Sequence, residues 1–138
     1  MYRYEYKEIV RYADTDQMGF VYYGNYARFY EIGRTEALRS LGFPYGELEK
    51  TGIWLPIVAM EARYLKPAFY DDTLTIVSIV KEIPNRKIVF DTQIYNQHNV
   101  LINEAKTTLV FLDAKTQKVT HIPEEILAKM RPYFDGAD

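Results

Sequence analysis

The chain has 138 residues, a formal net charge of -2 and a sequence isoelectric point of about 5.7, and this length suits one ordinary domain with its own core. The acidic balance argues against nonspecific nucleic-acid binding, because that binding needs a basic surface to displace phosphate counterions. Cysteine is absent, so a disulfide framework and a thiolate nucleophile are both excluded, and a reducing cytoplasm is the expected location.

The sequence carries no sign of a membrane segment or of a second domain. No apolar run approaches the roughly 18 residues that a membrane span needs, and the opening stretch MYRYEYKEIV lacks the apolar core of a signal peptide. We find no internal repeat, no low-complexity tract and no Gly-, Ser- or Pro-rich linker. Residues 1–138 are therefore predicted to form a single domain.

The first half of the chain is predicted to contain one strand and one long helix. Aromatic or aliphatic residues alternate with charged ones over 2–12, as in a half-buried strand, and an irregular segment at 13–23 follows. Apolar residues at steps of three and four predict a helix from Gly24 to about Leu41, and Gly42 marks its end. This helix is apolar around much of its circumference, which indicates cover by a sheet on one side and by a partner surface on another.

The second half is predicted to be a meander of strands. Residues 44–50 allow a short helical turn, and residues 122–134 predict a C-terminal helix with Pro123 in its first turn. Pro56 favours an edge or a bulge where it occurs. Segments rich in β-branched and aromatic residues predict strands at 53–67, 72–83, 87–96 and 101–113. Short hairpin connections favour antiparallel pairing, which gives an α+β domain with its helix on one face of the sheet.

Most familiar catalytic machinery is missing from the sequence. The two serines, Ser40 and Ser78, lie outside any G-x-S-x-G turn, which disfavours serine hydrolysis. His98 and His121 are isolated and have no metal-ligand spacing, so no metal site is predicted. No phosphate-binding Gly-rich loop precedes a helix, which leaves ATP chemistry and dinucleotide redox unsupported.

Two carboxylates, Asp14 and Asp16, are separated by one residue shortly before the predicted helix. Aspartates are common in turns because they bond nearby backbone amides, so a purely structural role is one interpretation. The other is chemical, because a carboxylate beside the unpaired N–H groups of a helix N-terminus can attack a carbonyl, or activate water against it, while those groups hold the oxyanion. A thioester suits this machinery, since a thiol with a pKa near about 8.5 leaves with little help from an acid.

The segment D-T-D-x-x-G-x-V-Y-Y-G-N-Y-x-R-F-Y-E-x-G-R-T-E at 14–36 closely resembles the hotdog-fold acyl-CoA thioesterases. It is most similar to the 4-hydroxybenzoyl-CoA thioesterase branch, which includes the acyl-CoA thioesterases associated with Tol-Pal cell-envelope genes. The resemblance implies a hotdog fold, in which an antiparallel sheet of about five strands wraps one long central helix, with a short C-terminal helix added. It also implies thioester hydrolysis and a homodimer or homotetramer, because two subunits of the family pair to form the active sites.

The resemblance assigns roles around the aspartate pair. Asp16 corresponds to the catalytic carboxylate, acting either as a nucleophile through a mixed anhydride or as the base for water, whereas Asp14 shapes the loop. Tyr23 corresponds to the backbone N–H donor at the start of the central helix, and Gly19 allows the tight turn between them. Some members carry His at the position of Tyr23, so any role of such a histidine is lost or replaced here.

Two further assignments concern the substrate. Arg86 and Lys87 lie where the resemblance places a basic segment that binds the coenzyme A phosphates, although a solvated hairpin tip explains them equally well. Trp54 and Pro56 correspond to a strand near the acyl pocket across the dimer. Coenzyme A is expected only as part of the substrate, and no separate cofactor or nucleic-acid partner is predicted.

Glu31 corresponds to an acidic helix position of the family, which makes it a candidate for substrate binding. A surface ion pair with Arg28 or Arg34 is the alternative. The acyl group is left open by the sequence. One rival to the thioesterase interpretation is a non-catalytic acyl-thioester binding protein of the same fold. A second, a hotdog (de)hydratase, is disfavoured because such sites resemble ones built around a histidine, and neither His98 nor His121 falls near the predicted helix.

Overall fold

The computed structural model of the protein describes residues 1–135. In chain order the strands are β1 (Tyr2–Ile9), β2 (Ile53–Trp54), β3 (Ile57–Tyr64), β4 (Thr73–Val80), β5 (Lys87–Tyr95), β6 (Leu101–Val110), β7 (Leu112–Asp113) and β8 (Lys118–Val119). The helices are α1 (Tyr26–Ser40), α2 (Tyr45–Lys50), α3 (Glu124–Met130) and α4 (Pro132–Asp135), with 3-10 turns at Tyr12–Asp14 and Tyr23–Asn25. The predicted α+β architecture, with one long helix and a short C-terminal helix, is confirmed.

The main sheet has five strands in the order β1-β4-β5-β6-β3, and every neighbouring pair is antiparallel. The strands β4, β5 and β6 follow one another as hairpins, whereas β1 and β3 form the two edges. A second, three-stranded sheet in the order β2-β7-β8 lies beside the first. Because β6 and β7 are separated only by Phe111, the same stretch of chain passes from one sheet into the other.

Helix α1 packs across the inner face of the main sheet. Its sheet-facing residues are buried and recur at helical spacing, and they include Tyr26, Phe29, Tyr30, Gly33 and Ala37. The helix ends where Gly42 adopts a φ of 95° and the amide of Phe43 donates to the carbonyl of Leu38 at 3.0 Å. A left-handed residue and a bond reaching back into the last turn are the usual end of a helix, so the predicted stop signal at Gly42 acts as expected.

A glycine sets the distance between α1 and the sheet. A Cβ built on Gly33 lies 2.6 Å from Cγ2 of Ile76 and 2.7 Å from Oγ of Ser78, both on β4. These separations are shorter than any ordinary carbon contact, so no side chain fits at position 33 without displacement. The rest of the interface is closed by fully buried apolar side chains from both layers, such as Phe29, Leu74 and Ile94.

The predicted strands at 53–67 and 101–113 are each divided in the structure. Pro56 separates β2 from β3, and only its carbonyl is used, accepting from the amide of Val110 at 3.1 Å. A proline cannot donate to a ladder, which explains the break. The strand β8 was not predicted, because two residues carry no detectable periodicity. Among residues 1–135, no helix is long and apolar enough to cross a membrane.

Candidate active site

The segment between β1 and α1 doubles back on itself. The amide of Asp16 donates to the carbonyl of Phe20 at 2.8 Å, and the amide of Gly19 donates to the carbonyl of Asp16 at 3.0 Å. Gly19 has a φ of 84°, a conformation that most side chains disfavour. The closed turn therefore holds Asp16 opposite Phe20. Phe20 in turn lies three residues before Tyr23.

Asp14 fastens this turn to helix α1. Its side chain is buried, with Oδ2 accepting from the amide of Arg11 at 2.9 Å and Oδ1 accepting from Nη2 of Arg28 at 2.5 Å. Its carbonyl accepts from the amide of Tyr22 at 3.0 Å and from Nδ2 of Asn25 at 2.9 Å. Its acceptors are used by the loop and by Arg28 of α1, and these contacts fit the loop-shaping role predicted for Asp14.

Asp16 has very different surroundings. The side chain is half-buried, and Oδ1 accepts from the amide of Met18 at 2.9 Å. Within residues 1–135, Oδ2 has no hydrogen-bond partner. An open cleft of about 640 Å³ lies in front of it, lined among others by Tyr12, Thr15 and Tyr70. One carboxylate oxygen therefore holds the residue in place while the other is available to a ligand.

The start of the helix supplies free donors. The 3-10 turn Tyr23–Asn25 leads directly into α1, and in the described part of the chain the amides of Tyr23 and Gly24 have no hydrogen-bond partner. Both residues are exposed, and the positive end of the helix dipole lies at the same point. A Cβ on Gly24 would lie 2.6 Å from Cε2 of Tyr22, so the absence of a side chain leaves room for that aromatic ring.

The remaining predicted site residues are placed elsewhere. Glu31 is exposed on α1 and lines a cavity whose other walls include Leu55 and Ile57, the neighbours of Trp54 and Pro56. Trp54 is 48% exposed, so it is not a core residue, and its role near an acyl pocket stays a prediction. The ion-pair alternative for Glu31 is wrong within residues 1–135, since no cationic nitrogen lies within 4.0 Å of its carboxylate.

The two basic residues lie far from Asp16 in a single chain. The Asp16 turn contacts the residues just before β4, where Phe20 pairs with Phe69, whereas Arg86 and Lys87 follow the opposite end of β4. The eight residues of β4 span about 26 Å. Arg86 and Lys87 are both exposed, and one chain does not bring them to the carboxylate.

Metal chemistry finds no support in the described residues. No group of three or more His, Asp or Glu side chains is placed to hold a metal ion among residues 1–135. His98 lies in the turn between β5 and β6, and Nδ1 of His121 lies 2.6 Å from Oδ1 of Asn85. Both imidazole side chains are exposed.

Comparison with known proteins identifies the family. The model of the Thioesterase-like superfamily matches residues 10–130. The chain belongs to this superfamily. Its predicted resemblance to the hotdog-fold thioesterases is therefore confirmed, together with the fold that the resemblance implied.

Several relatives of this thioesterase are similar over nearly their whole length. YneP from Bacillus subtilis (strain 168) is 38% identical over 113 residues, which cover 81% of this chain and 82% of that protein. YbgC from Escherichia coli O157:H7, named an acyl-CoA thioester hydrolase, is 34% identical over 122 residues, covering 88% and 91%. A solved structure of a DHNA-CoA thioesterase from Staphylococcus aureus superposes with a TM-score of 0.89 at 27% identity, covering 100% of this chain and 97% of that one.

The burial of Arg34 was not predicted from the sequence. This arginine is buried on α1 beside the cavity that Glu31 lines. The signal was a charged residue directly after Gly33, on the boundary between the sheet-facing and the polar positions of the helix. Charge alone indicated an exposed residue, and only the position of α2 and β3 in space shows that Arg34 is covered.

Proposed function

We propose that this acyl-CoA thioesterase uses Asp16 as its catalytic carboxylate and the amides of Tyr23 and Gly24 as its oxyanion hole. One observation carries the proposal: a half-buried carboxylate with an unused oxygen occupies the same loop that delivers two unpartnered amides. The carboxylate attacks the thioester carbonyl, or deprotonates a water that attacks it. The two N–H groups hold the negative charge that develops on the carbonyl oxygen.

The leaving group makes a second catalytic acid unnecessary. Cleavage of the C–S bond releases a thiolate, whose conjugate acid has a pKa near about 8.5, so it departs at neutral pH without obligatory protonation. This matches a loop that supplies one carboxylate and no adjacent histidine. The nucleophilic and general-base roles of Asp16 share the same geometry, and oxygen-18 carried from labelled water into Asp16 in a single turnover demonstrates the nucleophilic role, because the general-base route puts the label only into the product acid.

We also propose that the working form is a homodimer paired along β3, with a tetramer as its further assembly. This edge strand is exposed over nearly its whole length, and Ile57, Val58, Met60 and Tyr64 present apolar surface along it. Antiparallel pairing of β3 with its copy places the main sheet of the other subunit in the opposite direction. The sheet end that carries Arg86 and Lys87 in one subunit then lies at the end that carries Asp16 in the other, which supports phosphate binding across the dimer.

The cytoplasmic location stays a prediction from the sequence. It rests on the absence of cysteine, which suits a reducing compartment. A test is fractionation of the native host, with the protein expected in the cytosolic fraction.

The proposed function is tested by thiol release from a panel of aliphatic and aromatic acyl-CoA thioesters. The wild type is expected to turn over at least one class, and Asp16→Asn to lower kcat by at least about 100-fold, the scale on which a positioned base contributes, with an unchanged melting curve. Glu49→Gln is the matched control, since Glu49 is an exposed carboxylate on α2. Turnover of no thioester, with tight binding of acyl-CoA, would instead establish the non-catalytic binding protein.

A further inference from the structure

A second cavity lies along the side of α1, away from the Asp16 cleft. Its volume is about 540 Å³, within the range of small-molecule sites. Its walls are mostly apolar side chains from both helices and the sheet, namely Leu38, Leu48, Leu55, Ile57, Phe90 and Leu109. Such a lining suits a hydrocarbon chain or a ring. The polar side chains in it determine which terminal group that ligand can carry.

Arg34 is the polar group that stands out in this lining. The residue is only 9% exposed, and its Nη1 is enclosed and has no hydrogen-bond partner. Within residues 1–135 the guanidinium makes no ion pair within 4.0 Å either. A buried donor without a partner destabilises the folded protein, and more so when it is charged. Arg34 therefore offers hydrogen bonds that the chain itself does not use.

Glu31 lines the same cavity, and its negative charge opposes the positive charge of Arg34. Burial lowers the pKa of Arg34, and the charge of Glu31 acts in the opposite direction, so the two groups influence each other through the cavity wall. They nevertheless form no ion pair within 4.0 Å among the described residues. An unused donor and an unused acceptor therefore lie one helical turn apart at the edge of an apolar space.

The face of α1 connects this pair with the proposed oxyanion hole. Positions 23, 27, 31, 34 and 35 lie on one side of the helix at steps of three and four. Ala27, between Tyr23 and Glu31 on this side, is exposed and small, so its side chain does not obstruct the surface there. The distance from residue 23 to residue 34 along the axis is about 16 Å, and a helical side chain points back toward the N-terminus. An acyl chain held at the Tyr23 amide can therefore extend to the Arg34 guanidinium.

We propose that Arg34 binds the far end of the acyl group and that this end carries a hydroxyl. A hydroxyl oxygen accepts a hydrogen bond from Arg34 and its proton is donated to Glu31, so one group satisfies both residues. A methyl end leaves the guanidinium unpaired, and a carboxylate end pairs with Arg34 but brings a second negative charge beside Glu31, which offsets that attraction. The inference rests on the proposed function for its thioester end, and it identifies Arg34 as a specificity-determining residue for the substrate.

The test compares straight-chain acyl-CoA thioesters that end in a methyl, a hydroxyl or a carboxylate, in matched sets from butanoyl to decanoyl. At the best chain length we expect kcat/KM to be roughly 10- to 100-fold higher for the hydroxyl, the range of a hydrogen bond to a charged group. Arg34→Met keeps the unbranched stem without the donors, and should abolish this preference and improve turnover of the methyl series. Arg34→Lys should restore part of the preference.

Two further arms keep the outcomes separate. Arg39→Met is the control on α1, because Arg39 is exposed and pairs with Glu36, and it should keep the wild-type preference. Calorimetry with S-alkyl and S-(ω-hydroxyalkyl) coenzyme A thioethers, which cannot be hydrolysed, tests the same selectivity in the wild type. Turnover without preference at any length overturns the inference and spares the proposed function. If no thioester is turned over but the hydroxyl thioether is bound selectively, the proposed function is overturned and the inference about Arg34 is supported.

Discussion

At the scale of single residues, Asp14 and Asp16 show how one sequence pattern contains two different roles. The spacing D-T-D was compatible with two loop-shaping aspartates, and the sequence alone could not distinguish them. Among residues 1–135, the acceptors of Asp14 are used by the loop and by Arg28 of α1, whereas one carboxylate oxygen of Asp16 has no partner. The difference arises from contacts with Arg28 and Asn25, which lie on the far side of the turn, and a linear pattern contains no such information.

Removing the Asp14 charge should affect stability more than chemistry. Asp14→Asn weakens the hydrogen bonds from Arg11 and Arg28 to a carboxylate that is only 5% exposed. We expect a loss of about 1–3 kcal/mol in the free energy of unfolding, measured by urea denaturation, with kcat close to the wild-type value. Arg39→Leu, which breaks an exposed pair with Glu36, should change stability by less than about 1 kcal/mol. A stable Asp14→Asn protein without activity would contradict the assignment of roles.

Tyr30 should make the free energy of unfolding depend on pH in the alkaline range. Its hydroxyl donates to Oδ1 of Asn103, and burial raises the pKa of Tyr30 above the ordinary value of 10.0. The folded chain therefore keeps a proton that the unfolded chain loses. Stability from this group is complete below about pH 10 and falls as the pH rises toward the folded-state pKa. Burial raises the pKa of Tyr2 and Tyr26 in the same direction.

The variant Tyr30→Phe tests this dependence. At neutral pH it should lower the free energy of unfolding by about 1–3 kcal/mol, because Oδ1 of Asn103 loses its donor. Above about pH 10 the decline in stability should be shallower than in the wild type, since one group no longer releases a proton on unfolding. Denaturant titrations at several pH values measure both effects. Tyr45→Phe, at a residue 58% exposed, is the control, and an unchanged slope in Tyr30→Phe would refute the account.

At the scale of elements, the sequence predicted those whose signals are local. The alternation in β1, the apolar spacing in α1 and the stop at Gly42 depend on neighbours along the chain, and their bounds are close to the prediction. The division of two long strands was missed, because Phe111 and Pro56 turn the chain toward a partner strand that lies far away in sequence. The cavity at Arg34 was missed for the same reason, since α1, α2 and the sheet each contribute a wall.

The contact between α1 and β4 should tolerate no side chain at Gly33. Gly33→Ala places a methyl group 2.6 Å from Ile76, and we expect overpacking to lower the free energy of unfolding by about 1–3 kcal/mol. Gly46→Ala in α2 is the matched control, because nothing lies within 4 Å of its added Cβ. It should stabilise the protein by about 0.5–1 kcal/mol through helix propensity. Two substitutions of equal effect, measured by thermal unfolding, would argue against close packing at Gly33.

At the scale of the whole molecule, the two edges of the main sheet differ. On β1, charged residues at Arg3, Glu5 and Lys7 alternate with less exposed ones, a pattern that discourages pairing with another chain. On β3 the exposed surface includes several apolar side chains. The asymmetry supports self-association at β3 and not at β1.

A lysine introduced at Val58, which is 58% exposed on β3, should weaken the proposed dimer. We expect Val58→Lys to shift the mass measured by light scattering toward the monomer and to raise KM for full acyl-CoA substrates, because the proposed phosphate contacts of Arg86 and Lys87 come from the other subunit of the proposed dimer. Ile9→Lys, on the opposite edge of the sheet, should leave both quantities unchanged. An unaltered mass for Val58→Lys would exclude pairing along this edge.

Ile57 belongs to two surfaces at once, because it lies on β3 and also in the wall of the cavity beside Arg34. Whatever covers β3 therefore alters the space available to a ligand, and a ligand in that space alters the free energy of covering β3. Thermodynamic linkage makes these two effects equal in size. Under the proposed pairing along β3, dilution that separates subunits should therefore change the affinity for an acyl group in this cavity, and the acyl group should change the affinity between subunits by the same factor.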